Sequence, residues 1–466
     1  MSSVLGSSSS SWSSRDGPAD RERELPLAPP QYLLRFFETL YPGCAFGPRF
    51  TICAGFLLSG PLDLTALQHS VERVAQRHEA LRTVVVDGGG VPWQKVLPPS
   101  GTARFTVDEC PTPPDGQAAA VDAFLAHHEG REHATDDLPL LAAFLQRFSD
   151  DEAVLALVTH HSASDALSNQ VLMRDIARAY ALVVSGHPVD LPPPLQYGDY
   201  ALDQQTPKAL ARRATALDYW ARKLDGISPV GLPTDRPRPS SVSGRQGLLR
   251  FDLDDADTAR IRDLGRSTRT TTFIILLAAY VVLFHQLTGA KDFAVPTLTT
   301  GRGRRETLDS VGFFLNAQLL RSPLEGDPTL AEVLSRVRTT GLEAMTHEVP
   351  VMQLIETVPD VALLLADERF VLLPFQLVPV SGDPAALGPQ ASYQAIVRRP
   401  ETVRGMALPM DGLWSIRAHR QLLGNVAFSQ DLFDDDTVSA MATGYLTVLR
   451  RMLGSPDTRL SEMARL

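Results

Sequence analysis

The stretch Val154–Gln170, VLALVTHHSASDALSNQ, decides the fold prediction. Its mostly apolar start runs into a histidine pair, His160 and His161, and Asp165 follows four residues after the second histidine. The apolar run predicts a buried strand, in which neighbouring side chains point to opposite faces. Only one histidine can therefore enter a site at the end of this strand. Asp165 stands where a helix begins, so it can cap that helix or pair with an arginine.

Two interpretations of the histidine pair remain open on these residues alone. One is a core histidine with satisfied hydrogen bonds, and the other is a catalytic base, because histidine exchanges protons near neutral pH. A second histidine-rich stretch, HHEGREH at residues 127–133, invites a metal-site interpretation. It is expected at a charged, exposed helix end, and no Cys and no cluster of Asp or Glu completes it with ligand spacing. We therefore predict no metal site.

Strands and helices alternate along the chain. The segments LLAAFLQRFS and AVLALVT predict two strands joined by an acidic turn, and DALSNQVLMRDIARAYALVVSG predicts a long helix with a glycine stop. The longest apolar run, FIILLAAYVVLF at Phe273–Phe284, is too short for a membrane span, which needs about 20 residues. It predicts a buried helix and no membrane association. The mixture predicts an α/β or α+β protein with two lobes.

Composition narrows the function classes. A chain of 466 residues is too long for one compact core, and a net charge of -10 argues against a broad nucleic-acid-binding face. Three cysteines without paired spacing predict neither a disulfide framework nor a thiolate zinc site, which favours the cytoplasm. The Ser-rich start lacks the apolar region of a signal peptide. We expect a disordered tail over residues 1–24.

The proline-rich segment HPVDLPPPLQ is a candidate seam, which gives an N-terminal lobe over 25–195 and a C-terminal lobe over 196–466. No phosphate-binding loop and no serine nucleophile elbow occurs in the sequence, so a serine hydrolase is a distant alternative. The stretch TTGRGRRE at residues 299–306 lacks the dinucleotide-binding fingerprint. It is interpreted as a solvated basic loop.

The stretch HHSASDA resembles the HHxxxDG motif of the condensation domains of nonribosomal peptide synthetases, a family of acyltransferases. Further stretches resemble the other motifs of that family in the same order, over residues of about 25 to 465. They are LAPPQYLLRFFETLYPG from Leu27, RHEALRT from Arg77, YGDYALDQQ from Tyr197, LDYWARKLDG followed by LPTDRPRP, VGFFLNAQLLR from Val311, and THEVPVMQLIE from Thr346.

The resemblance implies two chloramphenicol-acetyltransferase-like lobes that form a V around a central tunnel. His161 would face the tunnel, act on the nucleophile as a base or positioning group, and have His160 and Asp165 beside it as members of the motif. Asp165 would form a structural salt bridge with an arginine of the second motif, with Arg82 favoured over Arg77.

The family pattern also implies substrate contacts for Asn316, Ala166 and Ser164. A helix or loop cap is the alternative role of Asn316. Ala166 replaces the glycine of the motif. Alanine tolerates ordinary negative φ, but it adds a methyl group near the tunnel. This methyl group would affect the position of the acceptor substrate rather than the base.

The implied activity joins an acyl thioester on a carrier protein to an amine or alcohol, which forms an amide or ester during natural-product biosynthesis. The partners would be an acyl or peptidyl carrier protein, whose 4'-phosphopantetheine presents the substrate, and a small acceptor. No cofactor, nucleic acid or membrane is expected. We expect a monomer that is free-standing, because no adenylation or carrier segment flanks the lobes. The alternative is an inactive condensation-like module that docks carriers or recruits a tailoring enzyme.

Overall fold

The computed structural model describes residues 22–87, 91–99, 103–113, 115–239, 243–380, 382–397 and 410–463. Most of the predicted Ser-rich tail, residues 1–21, therefore lies outside the described residues. The last part of that predicted tail differs from expectation, because Arg23 and Glu24 belong to the first strand.

In the described part of the chain up to Lys223, seven strands and six helices form. In chain order they are β1 (Arg23–Pro26), α1 (Pro29–Leu40), β2 (Thr51–Ser59), α2 (Leu64–Arg77), β3 (Thr83–Val86), β4 (Trp93–Val96), β5 (Arg104–Glu109), α3 (Gln117–His128), β6 (Leu141–Arg147), β7 (Glu152–His160), α4 (Ala166–Val184), α5 (Tyr197–Asp203) and α6 (Pro207–Lys223).

The described residues after Lys223 form eight more strands and six more helices. They are β8 (Gln246–Leu253), α7 (Asp255–Thr268), α8 (Thr272–Thr288), β9 (Ala294–Thr299), β10 (Asn316–Arg321), α9 (Leu330–Thr346), α10 (Val351–Thr357), α11 (Pro359–Ala366), β11 (Phe375–Pro379), β12 (Ala385–Leu387), β13 (Ala391–Ala395), β14 (Gly412–Ala418), β15 (Leu422–Ser429) and α12 (Asp435–Gly454).

The strands assemble into two six-stranded sheets and one small sheet. The first sheet has the order β12-β13-β2-β7-β6-β5, the second has the order β10-β9-β11-β14-β15-β8, and β1, β4 and β3 form the small sheet. Helices pack on both large sheets, so the predicted mixed α/β architecture is confirmed. Strand β7 lies between β2 and β6, antiparallel to both. Its apolar residues are buried because strands cover both of its edges and side chains pack on both faces.

The helix after the histidine pair begins at Ala166, as the sequence predicts. The Asp165 carboxylate accepts a hydrogen bond from the Ser168 N–H at 2.7 Å, which satisfies one of the free donors of the first turn. The apolar stretch Phe273–Phe284 lies in α8, whose side chains form the centre of the second core. No single helix among the described residues has the length and apolarity to cross a membrane, although α7 and α8, bent by 106°, would pass that test as a pair.

One hairpin crosses between the two halves of the sequence. Strands β12 and β13 belong to the second half of the chain, yet β13 pairs antiparallel with β2, with Ser392 opposite Ser59. The first sheet therefore contains strands from both sides of the candidate seam, while the lobe boundaries at residue 195 remain a prediction.

Candidate functional site

The side chain of His161 lies between two buried aromatic rings. Phe50 stacks on the imidazole with ring centroids 4.9 Å apart, and Phe313 meets it edge-on at 5.3 Å. The backbone N–H of His161 also donates to the Phe50 carbonyl at 2.6 Å. The imidazole is thus held on two faces by side chains from different parts of the chain, while part of His161 remains accessible.

The hydrogen bonds of His161 fix its tautomer. Its Nδ1 lies 2.6 Å from the Ser164 carbonyl oxygen, which can only accept, so Nδ1 carries the hydrogen. Nε2 then keeps its lone pair, and no described group hydrogen-bonds to it. Burial lowers the pKa of His161, and the Ser164 carbonyl and the charge of Asp165 offset this only in part. The imidazole is therefore neutral near pH 7, and Nε2 is a free proton acceptor.

His160 has the opposite tautomer and a different role. It is fully buried, and its Nε2–H donates to the Gly47 carbonyl at 3.0 Å. Its Nδ1 accepts from the backbone N–H of Ser162 at 3.2 Å and lies 2.6 Å from the Ser162 Oγ. Burial lowers the pKa of His160 to about 4. Both ring nitrogens are used inside the protein, so His160 is the core histidine and His161 is the one available for chemistry.

The partner of Asp165 corrects the sequence prediction. Asp165 pairs with Arg302, at 2.9 and 3.1 Å from the Arg302 Nη2 to the two carboxylate oxygens. Arg77 instead contacts Asp175 at 3.1 Å, and Arg82 lies 3.7 Å from Glu79. The prediction that Arg82 or Arg77 forms the salt bridge of Asp165 is therefore wrong. The arginine comes from the loop between β9 and β10 of the second sheet.

Arg302 was missed because its stretch was interpreted as a solvated basic loop. Its side chain is inaccessible, donates to the carbonyls of Thr307 and Ser310, and stacks its guanidinium 4.1 Å from the centre of the Phe314 ring. The signal in the sequence that could have pointed to a buried Arg302 was Gly301, the residue before it. Gly301 has φ +62, and a Cβ there would lie 1.8 Å from the Phe314 carbonyl oxygen, so only glycine fits this close approach.

The other predicted site residues are placed as follows. The Ser164 hydroxyl is buried and lies 2.6 Å from the Thr159 hydroxyl, and the Ser164 carbonyl holds His161; the substrate contact of Ser164 stays a prediction. Ala166 is exposed at the first helical position of α4. The side-chain amide of Asn316 donates to the Val349 carbonyl at 2.8 Å and accepts from the Val351 N–H at 3.1 Å. Asn316 therefore performs the capping role that was its alternative.

Two cavities lie close to these residues. One, of about 440 Å³, includes in its wall Ser162 and Ala163, the two residues that follow His161. A smaller one, of about 160 Å³, is lined by Asn316, Phe314 and Glu348 among others. Burial raises the pKa of Glu348, with opposing hydrogen bonds and the charge of an arginine reducing the effect.

The second histidine-rich stretch differs from the exposed helix end that was expected. His128 and His133 are buried, and His128 stacks on Phe144 with centroids 4.1 Å apart. His133 contacts the Asp137 carbonyl at 2.8 Å. These histidines fill the core beside α3, and in the described ranges no group of three or more His, Cys, Asp or Glu side chains could hold a metal ion.

Comparisons with known proteins agree with the motif resemblance. The family model described as Condensation domain matches residues 21–466. A linear gramicidin synthase protein of Brevibacillus parabrevis is 33% identical over 95% of this chain, and a probable non-canonical nonribosomal peptide synthetase, CymA, of Salinispora arenicola is 34% identical over 95%. The chain spans only 8% and 6% of the lengths of these two relatives.

Solved structures share the fold of this chain. The structure of SgcC5 protein from Streptomyces globisporus superimposes with a TM-score of 0.83 at 32% identity, over 93% of this chain and 100% of that one. The X-domain from teicoplanin biosynthesis shares the fold, with a TM-score of 0.75 at 24% identity, over 95% of this chain and 97% of that one. The match to the family model covers nearly the whole chain, and the chain therefore belongs to the condensation-domain family of nonribosomal peptide synthetases.

Proposed function

We propose that this chain transfers an acyl group from a carrier-protein thioester to an amine or alcohol, which forms an amide or an ester. The observation that carries the proposal is His161, a neutral imidazole with Nδ1–H bound to the Ser164 carbonyl and Nε2 unoccupied. The acyl thioester would arrive on the 4'-phosphopantetheine of an acyl or peptidyl carrier protein. The chain itself needs no resident cofactor for this reaction.

The chemistry follows from the free lone pair of His161. Nε2 accepts the proton of the attacking O–H or N–H while the new C–O or C–N bond forms at the thioester carbonyl. The C–S bond then breaks, and the thiolate takes up the proton. General-base catalysis of this kind contributes about 10²–10⁴-fold. A hydrogen bond that only positions the nucleophile is the other role compatible with this geometry, and the dependence of rate on pH separates the two.

Asp165 supports this role through position rather than through direct contact with the imidazole. It caps α4 and binds Arg302, so it fixes the loop 161–165, which carries His161 and follows His160 at the end of β7. Residues held by packing and by a second layer of hydrogen bonds keep a catalytic group within the narrow range of useful geometry.

One solved relative supports a small acceptor. The SgcC5 structure contains (R)-(-)-1-(2-naphthyl)-1,2-ethanediol, a small diol, and this chain covers all of SgcC5. We propose by analogy that a small amine or alcohol, free in solution, can serve as the nucleophile here.

Intact-protein mass spectrometry tests the proposal. Acyl-loaded carrier proteins are mixed with the protein and a panel of amines and alcohols, and loss of the acyl group is measured together with product formation. His161→Gln should lower the rate by about 10²–10⁴-fold while its circular dichroism stays unchanged. His127→Gln, at an exposed histidine of α3, is the matched control and should keep full activity.

The alternative of an inactive docking module makes a different prediction. In that case no product forms with any pair, the carrier still binds, and His161→Gln binds it as well as the unmodified protein. Acyl transfer that survives His161→Gln would contradict the assigned role of this residue.

A further inference from the structure

The cavity of about 160 Å³ brings together polar side chains from distant parts of the chain. Its wall includes Tyr200 of α5, Arg212 of α6, Arg304 of the loop between β9 and β10, and Glu348 of the segment between α9 and α10. A cavity of about 150 Å³ in a protein interior can hold a molecule the size of benzene, which has about six non-hydrogen atoms. This cavity therefore has room for a small organic molecule.

The carboxylate of Glu348 forms no ion pair in the described part of the chain. The Asn316 amide donates to it at 3.4 Å, and the Thr299 side chain makes a further contact. The shorter hydrogen bond of the same amide, at 2.8 Å, goes to the Val349 carbonyl. Burial raises the pKa of Glu348, and its two donors and the charge of Arg212 offset this only in part. A cation in the cavity would compensate this carboxylate.

Gly303 leaves space beside the same carboxylate. A Cβ at this position would lie 3.1 Å from Glu348 Oε2, which is closer than an ordinary van der Waals contact. The φ of Gly303 is not positive, so the backbone alone does not require glycine here. The missing side chain therefore keeps room for a ligand next to Oε2.

Arg212 supplies the opposite charge. Its side chain is exposed and has no hydrogen bond or ion pair with any described residue, whereas Arg304, the other cation of the wall, is paired with Asp203. The charge of Arg212 acts on both Glu348 and Tyr200, so the three groups surround one space. Burial, followed by the charge of Glu348, raises the pKa of Tyr200 to about 12, so its hydroxyl is a neutral donor.

We propose that this cavity binds a small zwitterion, a free α-amino acid, whose ammonium group donates to Glu348 and whose carboxylate accepts from Arg212. The uncompensated charges of the wall are one carboxylate and one guanidinium. A ligand with a single charge would meet one group of like sign, whereas a zwitterion meets an opposite charge at each end. Alanine, with about six non-hydrogen atoms, matches the available room.

This site is separate from the proposed acyl transfer and does not depend on it. An ammonium group has no lone pair, so an amino acid held in this way is not the attacking nucleophile. Its position bears on the structure around Asp165 instead. Gly301, Gly303 and Arg304 line the cavity, and Arg302 between them holds Asp165. A bound amino acid would therefore restrain the loop that carries Arg302.

Three ligands of nearly equal size test the inference without any acyl donor. Isothermal titration of the full chain at pH 7 compares L-alanine with L-lactate, in which a hydroxyl replaces the ammonium, and with L-alaninamide, in which an amide replaces the carboxylate. Alanine should bind at least about tenfold more tightly than either, because each substitute loses one hydrogen bond between charged groups.

Two variants should remove the two preferences separately. Glu348→Gln should abolish the preference for alanine over lactate and keep the preference over alaninamide, and Arg212→Gln should do the reverse. The ratios of affinities are informative because general damage to the fold weakens all three ligands alike. Arg222→Gln and Glu368→Gln, at exposed positions, are the matched controls and should keep both preferences.

Hydrogen exchange measured by mass spectrometry locates the bound ligand. Saturating alanine should slow exchange in residues 301–307 and 345–350 and leave α3 unchanged. Absence of alanine binding, preferences that survive both variants, or protection confined to other segments would overturn the inference. Alanine binding with the expected preferences in a protein that transfers no acyl group would leave this site standing and count against the proposed function alone.

Discussion

Replacement of Arg302 by methionine should destabilise the protein far more than the same replacement two residues later. Methionine fills most of the volume but leaves Asp165 as an unpaired carboxylate whose side chain is only 9% exposed. Removal of one partner from a buried pair costs about 3–5 kcal/mol. Asp165 keeps the Ser168 N–H at 2.7 Å and the Phe314 N–H at 3.2 Å, which places the expected loss near 3 kcal/mol.

Arg304 provides the matched control on the same loop. It also pairs with an aspartate, Asp203, but the side chains of this pair are 35% and 28% exposed. Water already screens such a pair, so Arg304→Met should cost no more than about 1 kcal/mol. A double variant, Arg302→Met with Asp165→Asn, should recover part of the loss because it removes the stranded charge.

Urea denaturation followed by far-ultraviolet circular dichroism measures these differences in the free energy of unfolding. The reasoning requires Arg302→Met to lose at least about 2 kcal/mol more than Arg304→Met. Equal losses for the two variants, or a double variant that is less stable than Arg302→Met, would refute the view that a buried charge pair joins the two sheets.

Three further predictions concern the same region. The single-turnover rate should be constant at high pH and should fall as the pH drops through the pKa of His161, which burial lowers below the ordinary histidine value of about 6.5. A midpoint of this fall above pH 6.5 would contradict the assignment of His161 as a neutral base. Gly301→Ala should lower the free energy of unfolding by about 3 kcal/mol or more in urea denaturation. Gly186→Ala should lower it by about 1–2 kcal/mol, because φ is also positive there but no atom lies within 4 Å of the added Cβ. Equal losses would show that the loop at Gly301 moves away from the added methyl group. Burial raises the pKa of Asp175, but hydrogen bonds and charges from His78 and Arg174 outweigh it and lower the pKa to about 2. The Asp175 carboxylate therefore contributes about 2 kcal/mol to the free energy of unfolding above about pH 4, and this contribution is lost as the pH falls towards 2. Asp175→Asn should flatten that part of the curve of stability against pH.

The local parts of the site follow from the sequence. Strand β7, the turn before it, and the helix capped by Asp165 depend on apolar runs and on neighbouring residues, which periodicity and capping rules describe. Strand alternation predicts that only one of the two histidines leaves the core, and the resemblance to the condensation domains implied that this one is His161.

The long-range parts do not follow from local pattern. Arg302 stands 137 residues from Asp165, and nothing in the residues around Arg77, Arg82 or Arg302 shows which of the three meets that carboxylate. Solvent exposure was also misjudged for charged segments. Arg302 and His128 are buried because distant strands and rings cover them, and composition within a short window carries no information about such cover.

The hairpin of β12 and β13 has a mechanical consequence. It fastens the second half of the chain to the free edge of β2, while the pair of Asp165 and Arg302 fastens the two halves at another place. Further hydrogen bonds lie near this pair, from the Ser168 hydroxyl to the Gly312 carbonyl and from the Tyr197 hydroxyl to the Phe313 carbonyl. A relative motion of the two halves would therefore have to break several separate contacts together, and the loss of any one of them would leave the others in place.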